Sequence, residues 1–346
     1  MKASDLLTTL VSFIMARCPI LITGMPGVGK TEIGYQAALQ CNITADNVIV
    51  SHPVLDDPTD VKGFPMRITG TDEMEFIPIG DIRRILTAEQ PTLWFIDDVG
   101  QAANSMQAAY MRPLITRQIG NRHIPDCVSV IAATNRRSDK AGVSGILEPV
   151  KGRFGSIVEL KADLDSWCSW AIAKGLPGSL IAFMRFRPDL LSAFNPTADM
   201  TNSPTPRTWY NLSRVEGMKL PAHIEHEVMS GSVGEGPATE YLAFRKMAAA
   251  LVSIDAILAA PDKAALPKKP AECYAVCIGL AMRANDKNIS RIGTYLERLT
   301  HENMGEFAAL TVRDSLHRTP TLANTSEFVK MMCGPIGQLI SGQSVR

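Results

Sequence analysis

The stretch Gly24-Met25-Pro26-Gly27-Val28-Gly29-Lys30-Thr31 decides the fold of this chain. It has the pattern G-x-x-x-x-G-K-[ST], with an apolar run at 19–23 before it and a helix-like composition at 31–40 after it. A strand, a glycine-rich loop and a helix in this order let backbone N–H groups surround a phosphate chain. The positive end of the helix dipole favours the same anion. The sequence therefore predicts a nucleotide-binding loop.

Each part of this loop has an expected role. The glycines allow the backbone to approach the anion closely because they carry no Cβ atom. Lys30 is expected to reach the β- and γ-phosphates, and the Thr31 hydroxyl is expected to bind Mg²⁺. The residues predicted to contact the nucleotide here are Gly24, Pro26, Gly27, Val28, Gly29, Lys30, Thr31 and Glu32.

The composition limits the classes of function that the chain can have. Its 346 residues suffice for two or three domains, and 46% hydrophobic with 20% charged residues is ordinary for a globular protein. The 35 basic residues equal the 35 acidic ones, so no overall field attracts nucleic acid. Seven scattered cysteines indicate a reducing compartment. No apolar run approaches the roughly 20 residues that span a bilayer, and we expect a cytoplasmic protein.

Secondary-structure patterns divide the chain into an α/β part and a helical part. Short apolar runs predict strands at 19–23, 47–51, 93–96, 128–133 and 156–160, separated by helical stretches that include a long one at 101–118 interrupted by Pro113. A turn at 69–72 predicts a hairpin over 67–79. Beyond 163, helical spacing predominates, with predicted loops at 193–206 and 230–237.

This alternation predicts a parallel five-stranded sheet covered on both faces. The expected fold class is an α/β P-loop NTPase core, followed by an all-α lid and a helical C-terminal extension. The corresponding domain boundaries are 1–160 for the core, 163–260 for the lid and 261–346 for the extension.

Two polar strand ends carry the remaining chemistry of the core. Asp97 and Asp98 follow the strand at 93–96, where open α/β sheets place their ligands. Asp97 is expected to complete the Mg²⁺ site with Thr31, and Asp98 to orient or deprotonate the attacking water. Asn135 ends the next strand and can hold that water or touch the γ-phosphate. Turn and helix-capping roles are the alternative for these three side chains.

In this order of motifs the chain resembles the AAA+ ATPases, and within them the MoxR branch that includes CbbQ, NorQ and GvpN-type proteins. Gly24 to Thr31 matches Walker A, Leu93 to Asp98 matches Walker B, and Asn135 matches sensor 1. Asp60 to Gly63 resembles the D-x-x-G segment of the branch, and Gln107 to Ile119 resembles the helix before its second hairpin. The resemblance covers about residues 1–220.

The resemblance also implies two arginine roles. Arg153, in Lys-Gly-Arg-Phe, matches the position of the arginine finger, and Arg207, in Pro-Arg-Thr, matches sensor 2 in the lid. Arg136 and Arg137 are rival candidates for the finger. Two residues depart from the family pattern: Asp98 stands where glutamate is usual, and Lys-Gly precedes Arg153 where Leu-Asp is common.

The expected function is hydrolysis of ATP with Mg²⁺ by a homo-oligomeric ring, a hexamer by the resemblance. Such a ring would remodel or activate a protein partner, including one with a von Willebrand A domain or a metal cofactor. Hairpins near 67–79 and 118–128 are the expected contact regions. A nucleic-acid motor or loader, which the neutral charge balance disfavours, and a nucleotide-bound scaffold with low turnover are the alternatives.

Overall fold

The computed structural model describes residues 1–139, 145–196, 200–218, 220–250 and 253–340. The described chain divides into two compact units, one formed by 1–163 with 194–196 and the other by 164–193 with 200–340. Each unit has its own buried apolar cores. The domain boundaries proposed from the sequence, including the division between lid and extension, stay predictions.

The first unit is built on a parallel sheet, as the sequence predicted. Its strands, in chain order together with those of two small hairpins, are β1 (Ile20–Thr23), β2 (Val48–Ser51), β3 (Phe64–Arg67), β4 (Met74–Ile77), β5 (Thr92–Ile96), β6 (Gln118–Ile119), β7 (Arg122–His123), β8 (Val128–Thr134) and β9 (Ser156–Glu159). The sheet order is β2-β5-β8-β1-β9, with parallel neighbours throughout. Strands β5 and β8 are buried along their whole length, which explains their continuous apolar sequences.

Helices cover both faces of this sheet. They are α1 (Ala3–Met15), α2 (Lys30–Gln40), α3 (Pro58–Lys62), α4 (Gly80–Leu86), α5 (Asn104–Ala109), α6 (Met111–Thr116) and α7 (Glu148–Lys151). Leu6 and Leu10 of α1 pack with Ile20 and Ile22 on one face, whereas Leu21 belongs to the core on the other face. Because alternate residues of β1 point to opposite faces, this single strand contributes to both cores.

The predicted helix at 101–118 is two helices that meet at Tyr110 rather than at Pro113. Pro113 is the third residue of α6, a position at which a backbone N–H group has no intrahelical partner, so the lack of this group in proline costs no hydrogen bond. The break therefore precedes the proline. After α6, Arg117 adopts a left-handed conformation and leads into β6.

Two antiparallel hairpins lie outside the sheet. The pair β3–β4 corresponds to the hairpin predicted at 67–79, although its first strand begins at Phe64. The second hairpin, β6–β7, lies within the region predicted near 118–128. An ion pair of 2.8 Å between Glu75 and Arg122 joins the two hairpins.

The second unit is helical. Its helices are α8 (Leu164–Ala173), α9 (Gly178–Phe186), α10 (Pro206–Gly217), α11 (Ala222–Val233), α12 (Glu235–Ala250), α13 (Ile254–Ala259), α14 (Pro270–Arg283), α15 (Ile289–His301), α16 (Gly305–Arg318), α17 (Ser326–Met332) and α18 (Pro335–Ile340). A buried ion pair joins α9 to α16, with Arg185 donating two hydrogen bonds of 2.5 and 2.8 Å to Asp314. None of the described helices combines the length and apolar character needed to cross a bilayer.

The prediction of a loop at 230–237 is wrong. Helix α11 continues through Ser230, Gly231 and Ser232, and the chain bends only at Gly234 before α12 begins. Met229 and Val233 lie four residues apart on the same face of α11, and both are completely buried. Tertiary packing of this apolar face therefore overrides the low helix propensity of the intervening residues.

The sequence also predicts a helix at 239–258. That helix and the predicted loop at 193–206 extend in part over residues outside the described ranges, namely 251–252 and 197–199.

Candidate nucleotide-binding site

The glycine-rich loop follows β1 at the carboxyl edge of the sheet and leads directly into α2. Gly29 has a φ of 102°, which a residue with a side chain rarely adopts. At Gly24 a Cβ atom would lie 2.8 Å from the carbonyl oxygen of Leu160, which is too close. The loop therefore depends on glycine at both positions, once for backbone conformation and once for space.

Lys30, the first residue of α2, lies in the centre of the site. Its side chain is buried, and its ammonium group donates hydrogen bonds to the carbonyl oxygens of Gly24 (3.0 Å) and Met25 (3.2 Å). A third hydrogen bond of 2.7 Å goes to Oδ1 of Asn135. A buried ammonium needs such acceptors, because an unpaired charge in the interior costs several kcal/mol.

Thr31 and Asp97 bring two oxygen ligands together. The Thr31 hydroxyl donates a hydrogen bond of 2.8 Å to Oδ2 of Asp97, which is almost fully buried. Hydroxyl and carboxylate oxygens are the donors that Mg²⁺ prefers, and Mg²⁺ commonly takes one or two protein oxygens together with phosphate and water. The chemistry of this pair fits a magnesium ion.

Asp98 and Asn135 form the other side of the same site. Asp98 has a left-handed backbone (φ 54°), which aspartate tolerates better than most residues. The Asn135 side chain donates a hydrogen bond of 3.3 Å to Oδ1 of Asp98 while its own Oδ1 accepts from Lys30. The amide of Asn135 therefore links the lysine to the second carboxylate.

The sequence placed these side chains on three separate strand ends, and the sheet order explains how they meet. Strand β8 lies between β5 and β1, so Asn135 lies between the end of β5, which carries Asp97 and Asp98, and the loop after β1. A phosphate loop between the first strand and the following helix, beside an acidic strand end, is the arrangement of P-loop nucleotide triphosphatases. The chain has a P-loop NTPase fold.

Comparisons with known proteins find solved structures that resemble this chain at low sequence identity. No protein-family model matches the sequence, and no curated protein matches it. Similar solved structures include a mutant form of RuvB from Thermotoga maritima, with a TM-score of 0.40 and 16% identity over 75% of this chain and 80% of that chain. NtrX from Brucella abortus in complex with ATP has a TM-score of 0.39 and 16% identity over 99% of this chain and 68% of that chain. A DNA polymerase III gamma subunit-related protein from Thermotoga maritima has a TM-score of 0.35 and 15% identity over 98% of this chain and 92% of that chain.

The remaining residues of the loop lie around this centre. Val28 is buried in the core that α1 and α2 form, and Pro26 is partly exposed beside it. Glu32 lies in the first turn of α2 and accepts a hydrogen bond of 3.4 Å from Gln36. Direct contact of these three side chains with a nucleotide stays a prediction.

The two arginines assigned by resemblance lie in different units. Arg153 follows α7 in the first unit, and its guanidinium donates to the carbonyl oxygens of Met111 (3.1 Å) and Pro149. Arg207 is the second residue of α10 in the helical unit, and its side chain is exposed. Their contacts with ATP stay predictions.

Gln107 is a positioning residue that the sequence pattern did not reveal. Its fully buried side chain donates hydrogen bonds to the carbonyl oxygens of Ala102 (3.0 Å) and Gly145 (2.9 Å) and accepts one of 3.0 Å from the N–H group of Leu147. It therefore ties α5 to the segment that enters α7. A single glutamine within a helix gives no sequence signal for such a role.

Proposed function

We propose that the chain is a Mg²⁺-dependent ATPase of the AAA+ type, and within it of the MoxR branch. The observation that carries the proposal is the Lys30–Asn135–Asp98 chain of hydrogen bonds beside the Thr31–Asp97 pair. The site thus contains a cation for phosphates, two oxygens for magnesium and a second carboxylate. These groups lie next to a glycine-rich loop at a helix N-terminus.

Each residue has a role that follows from its chemistry. Lys30 would bind the β- and γ-phosphates of ATP, and Thr31 with Asp97 would hold Mg²⁺. The ion, when bound, neutralises charge that builds up on the transferred phosphoryl group. Asp98 would accept a proton from the attacking water, and its hydrogen bond to Asn135 keeps its carboxylate in the site.

The proposed assembly is a homo-oligomeric ring, a hexamer by the resemblance to the MoxR branch. In such a ring an arginine of one copy completes the ATP site of the next, and Arg207 senses the γ-phosphate within its own chain. Arg153 occupies the motif position of the first role, with Arg136 and Arg137 as alternatives. The work of the ring would be the remodelling or activation of a protein partner, for which a von Willebrand A domain protein is one candidate.

The β3–β4 hairpin is the proposed surface for that partner. All residues of both strands are exposed, and Phe64, Met66, Met74 and Phe76 are each at least half exposed. Exposed apolar side chains in one small ribbon are typical of a protein contact. The ion pair between Glu75 and Arg122 joins this ribbon to the β6–β7 hairpin.

The decisive experiment for catalysis is phosphate release from ATP by the purified chain. We expect turnover with Mg²⁺, none with EDTA, and none in Asp97→Ala, because both changes remove the metal. Turnover that is insensitive to EDTA and to Asp97→Ala would contradict the proposal. Tight ATP binding without turnover would instead support the scaffold alternative.

The partner surface has a separate test. Double replacement of Met74 and Phe76 by serine is expected to abolish capture of a host protein that the unmodified chain enriches. The matched control is Leu39→Ser, which changes a 60% exposed apolar residue on α2. Equal capture by the double variant and the control would remove the hairpin from the proposal.

A further inference from the structure

Three arginines are candidates for the catalytic arginine, and they differ in what their guanidinium groups already bind. Arg136 donates to Asp139 (2.8 and 3.0 Å) and to Glu159 (3.0 Å). The hydrogen bonds to Asp139 are the main reason why the pKa of Arg136 is raised. Arg153 donates to two backbone carbonyl oxygens. To reach a phosphate, either arginine would first have to break these bonds, each of which is charge-assisted.

Arg137 is different. Its side chain is exposed, and it makes no hydrogen bond or ion pair with any residue in the described ranges. It begins the short 3₁₀ turn Arg137–Asp139, two residues after Asn135. The bonds between Arg136 and Asp139 hold this turn in place. Within the described part of the chain, Arg137 is therefore a free cation on a fixed backbone, next to the residue that touches Lys30.

Open space adjoins Arg137. A cavity of about 600 Å³ is lined by Asn135, Arg136, Arg137, Glu148 and Lys151, together with apolar and hydroxyl side chains of β1, β8 and β9. Lys151 pairs with Glu148 at 2.5 Å, and Arg136 is neutralised by its two carboxylates. Among the described residues that line this cavity, Arg137 thus carries the positive charge that is available to an anion.

We propose that Arg137, and neither Arg153 nor Arg136, is the catalytic arginine that one copy of the chain lends to the ATP of its neighbour. Arg137 is exposed at the surface, whereas Lys30 and Asn135 of the same chain are buried, so Arg137 is placed for a phosphate that approaches from outside. This inference rests on the proposed ATPase function. It assigns the role to Arg137 instead of Arg153, which the motif position favours.

The step that Arg137 assists is balanced within the site. The oxygen of water forms a bond to the γ-phosphorus while the bond from that phosphorus to the bridging oxygen of ADP breaks. The proton of the water passes to Asp98 of the chain that holds the nucleotide. Arg137 changes no bond, and its planar cation stabilises the charge spread over the γ-phosphate oxygens.

The test compares alanine variants of Arg137, Arg153 and the control Arg83. Arg83 is an exposed arginine of α4 whose side chain likewise makes no bond to a described residue. We expect Arg137→Ala to lower kcat by about 10³-fold or more, the usual effect of such an arginine, while the Kd for ATP stays the same. Arg83→Ala should match the unmodified chain. Arg153→Ala should lower Tm and reduce kcat far less than Arg137→Ala does, because it breaks backbone contacts.

Mixing variants shows whether the arginine acts between copies. A mixture of the Arg137→Ala and Asp98→Asn variants should recover part of the activity. The Arg137→Ala chain keeps Asp98, and a neighbouring Asp98→Asn chain supplies the intact Arg137. Recovery supports the proposal, and its absence overturns the action between copies. Normal kcat in Arg137→Ala would overturn the assignment while the ATPase function stands. Absence of turnover in the unmodified chain would overturn both.

Discussion

At the scale of single residues, Lys30 links the groups of the candidate site. Its ammonium donates hydrogen bonds to two loop carbonyl oxygens and to Asn135, and so fixes the positions of these groups relative to one another. The sequence motif predicted the role of Lys30 in phosphate binding. It could not predict the bond to Asn135, because 105 residues separate the two and only the sheet order brings them together.

Replacement of this lysine gives the first prediction. Lys30→Ala should weaken ATP binding by at least about 10- to 100-fold, since hydrogen bonds to a charged group contribute roughly 1.5–3 kcal/mol. Titration calorimetry with ATP and Mg²⁺ measures the effect. Arg83→Ala serves as the control, because it removes a positive charge from the same unit outside the site. An unchanged Kd in Lys30→Ala would remove the phosphate-loop assignment.

The same scale shows why the arginines were ambiguous. Arg136, Arg137 and Arg153 all lie within 20 residues of Asn135, and any of them could be a finger by residue type. Their existing partners distinguish them, and these partners depend on Asp139, Glu159 and backbone carbonyls that no motif includes. Sequence reasoning therefore favoured Arg153 by its motif position, with Arg136 and Arg137 as rivals, and could not weigh these partners.

At the scale of elements, the sequence predicted strands better than helix breaks. Four of the five sheet strands, β1, β2, β5 and β8, are buried at all or nearly all positions, so their sequences are mostly apolar and could be found. The edge strand β9 is only partly buried and was found from a weaker apolar pattern. The break expected at 230–237 failed because glycine and serine were read as loop residues. In the structure Met229 and Val233 anchor α11, and only Gly234, with a φ of 91°, ends it.

Two glycines of this region give the second prediction. Gly231 lies inside α11 with open space where a Cβ would stand, so Gly231→Ala should stabilise the protein by about 0.5–1 kcal/mol. At Gly234 an added Cβ would meet the carbonyl oxygen of Asn202 at 3.2 Å in a left-handed conformation. Gly234→Ala should therefore destabilise it, by about 1 kcal/mol or more.

Urea unfolding followed by circular dichroism measures both free energies. The two variants are a matched pair, since each adds one methyl group and the positions are three residues apart. If Gly231→Ala lowered stability as much as Gly234→Ala does, residues 230–233 would be a loop, as the sequence first indicated, and the described course of α11 would be wrong.

At the scale of the whole molecule, the proposed ring depends on contacts that a single chain does not contain. The sequence indicated such an assembly only through its resemblance to the AAA+ ATPases. The neutral charge balance disfavours strong nonspecific attraction to nucleic acid, but composition cannot report which surfaces meet. In the proposed ring, Arg137, which lies at an exposed turn, would contact the ATP of a second copy.

Dilution gives the third prediction. Because each active site would need an arginine from a neighbour, the turnover per chain should fall once the concentration drops below the dissociation constant of the ring. The turnover per chain is measured by phosphate release over a wide range of protein concentration. Light scattering on the same samples gives the mass of the assembly. Constant turnover per chain in samples that light scattering shows to be monomeric would contradict the ring.

The central claim is that the loop from Gly24 to Thr31 binds the triphosphate of ATP together with Mg²⁺. Titration calorimetry of the unmodified chain with a non-hydrolysable ATP analogue tests it most directly, run once with Mg²⁺ and once with EDTA. We predict one site per chain, with clearly tighter binding when Mg²⁺ is present. Absence of binding heat under both conditions, confirmed by an unshifted melting temperature at saturating analogue, would contradict the claim.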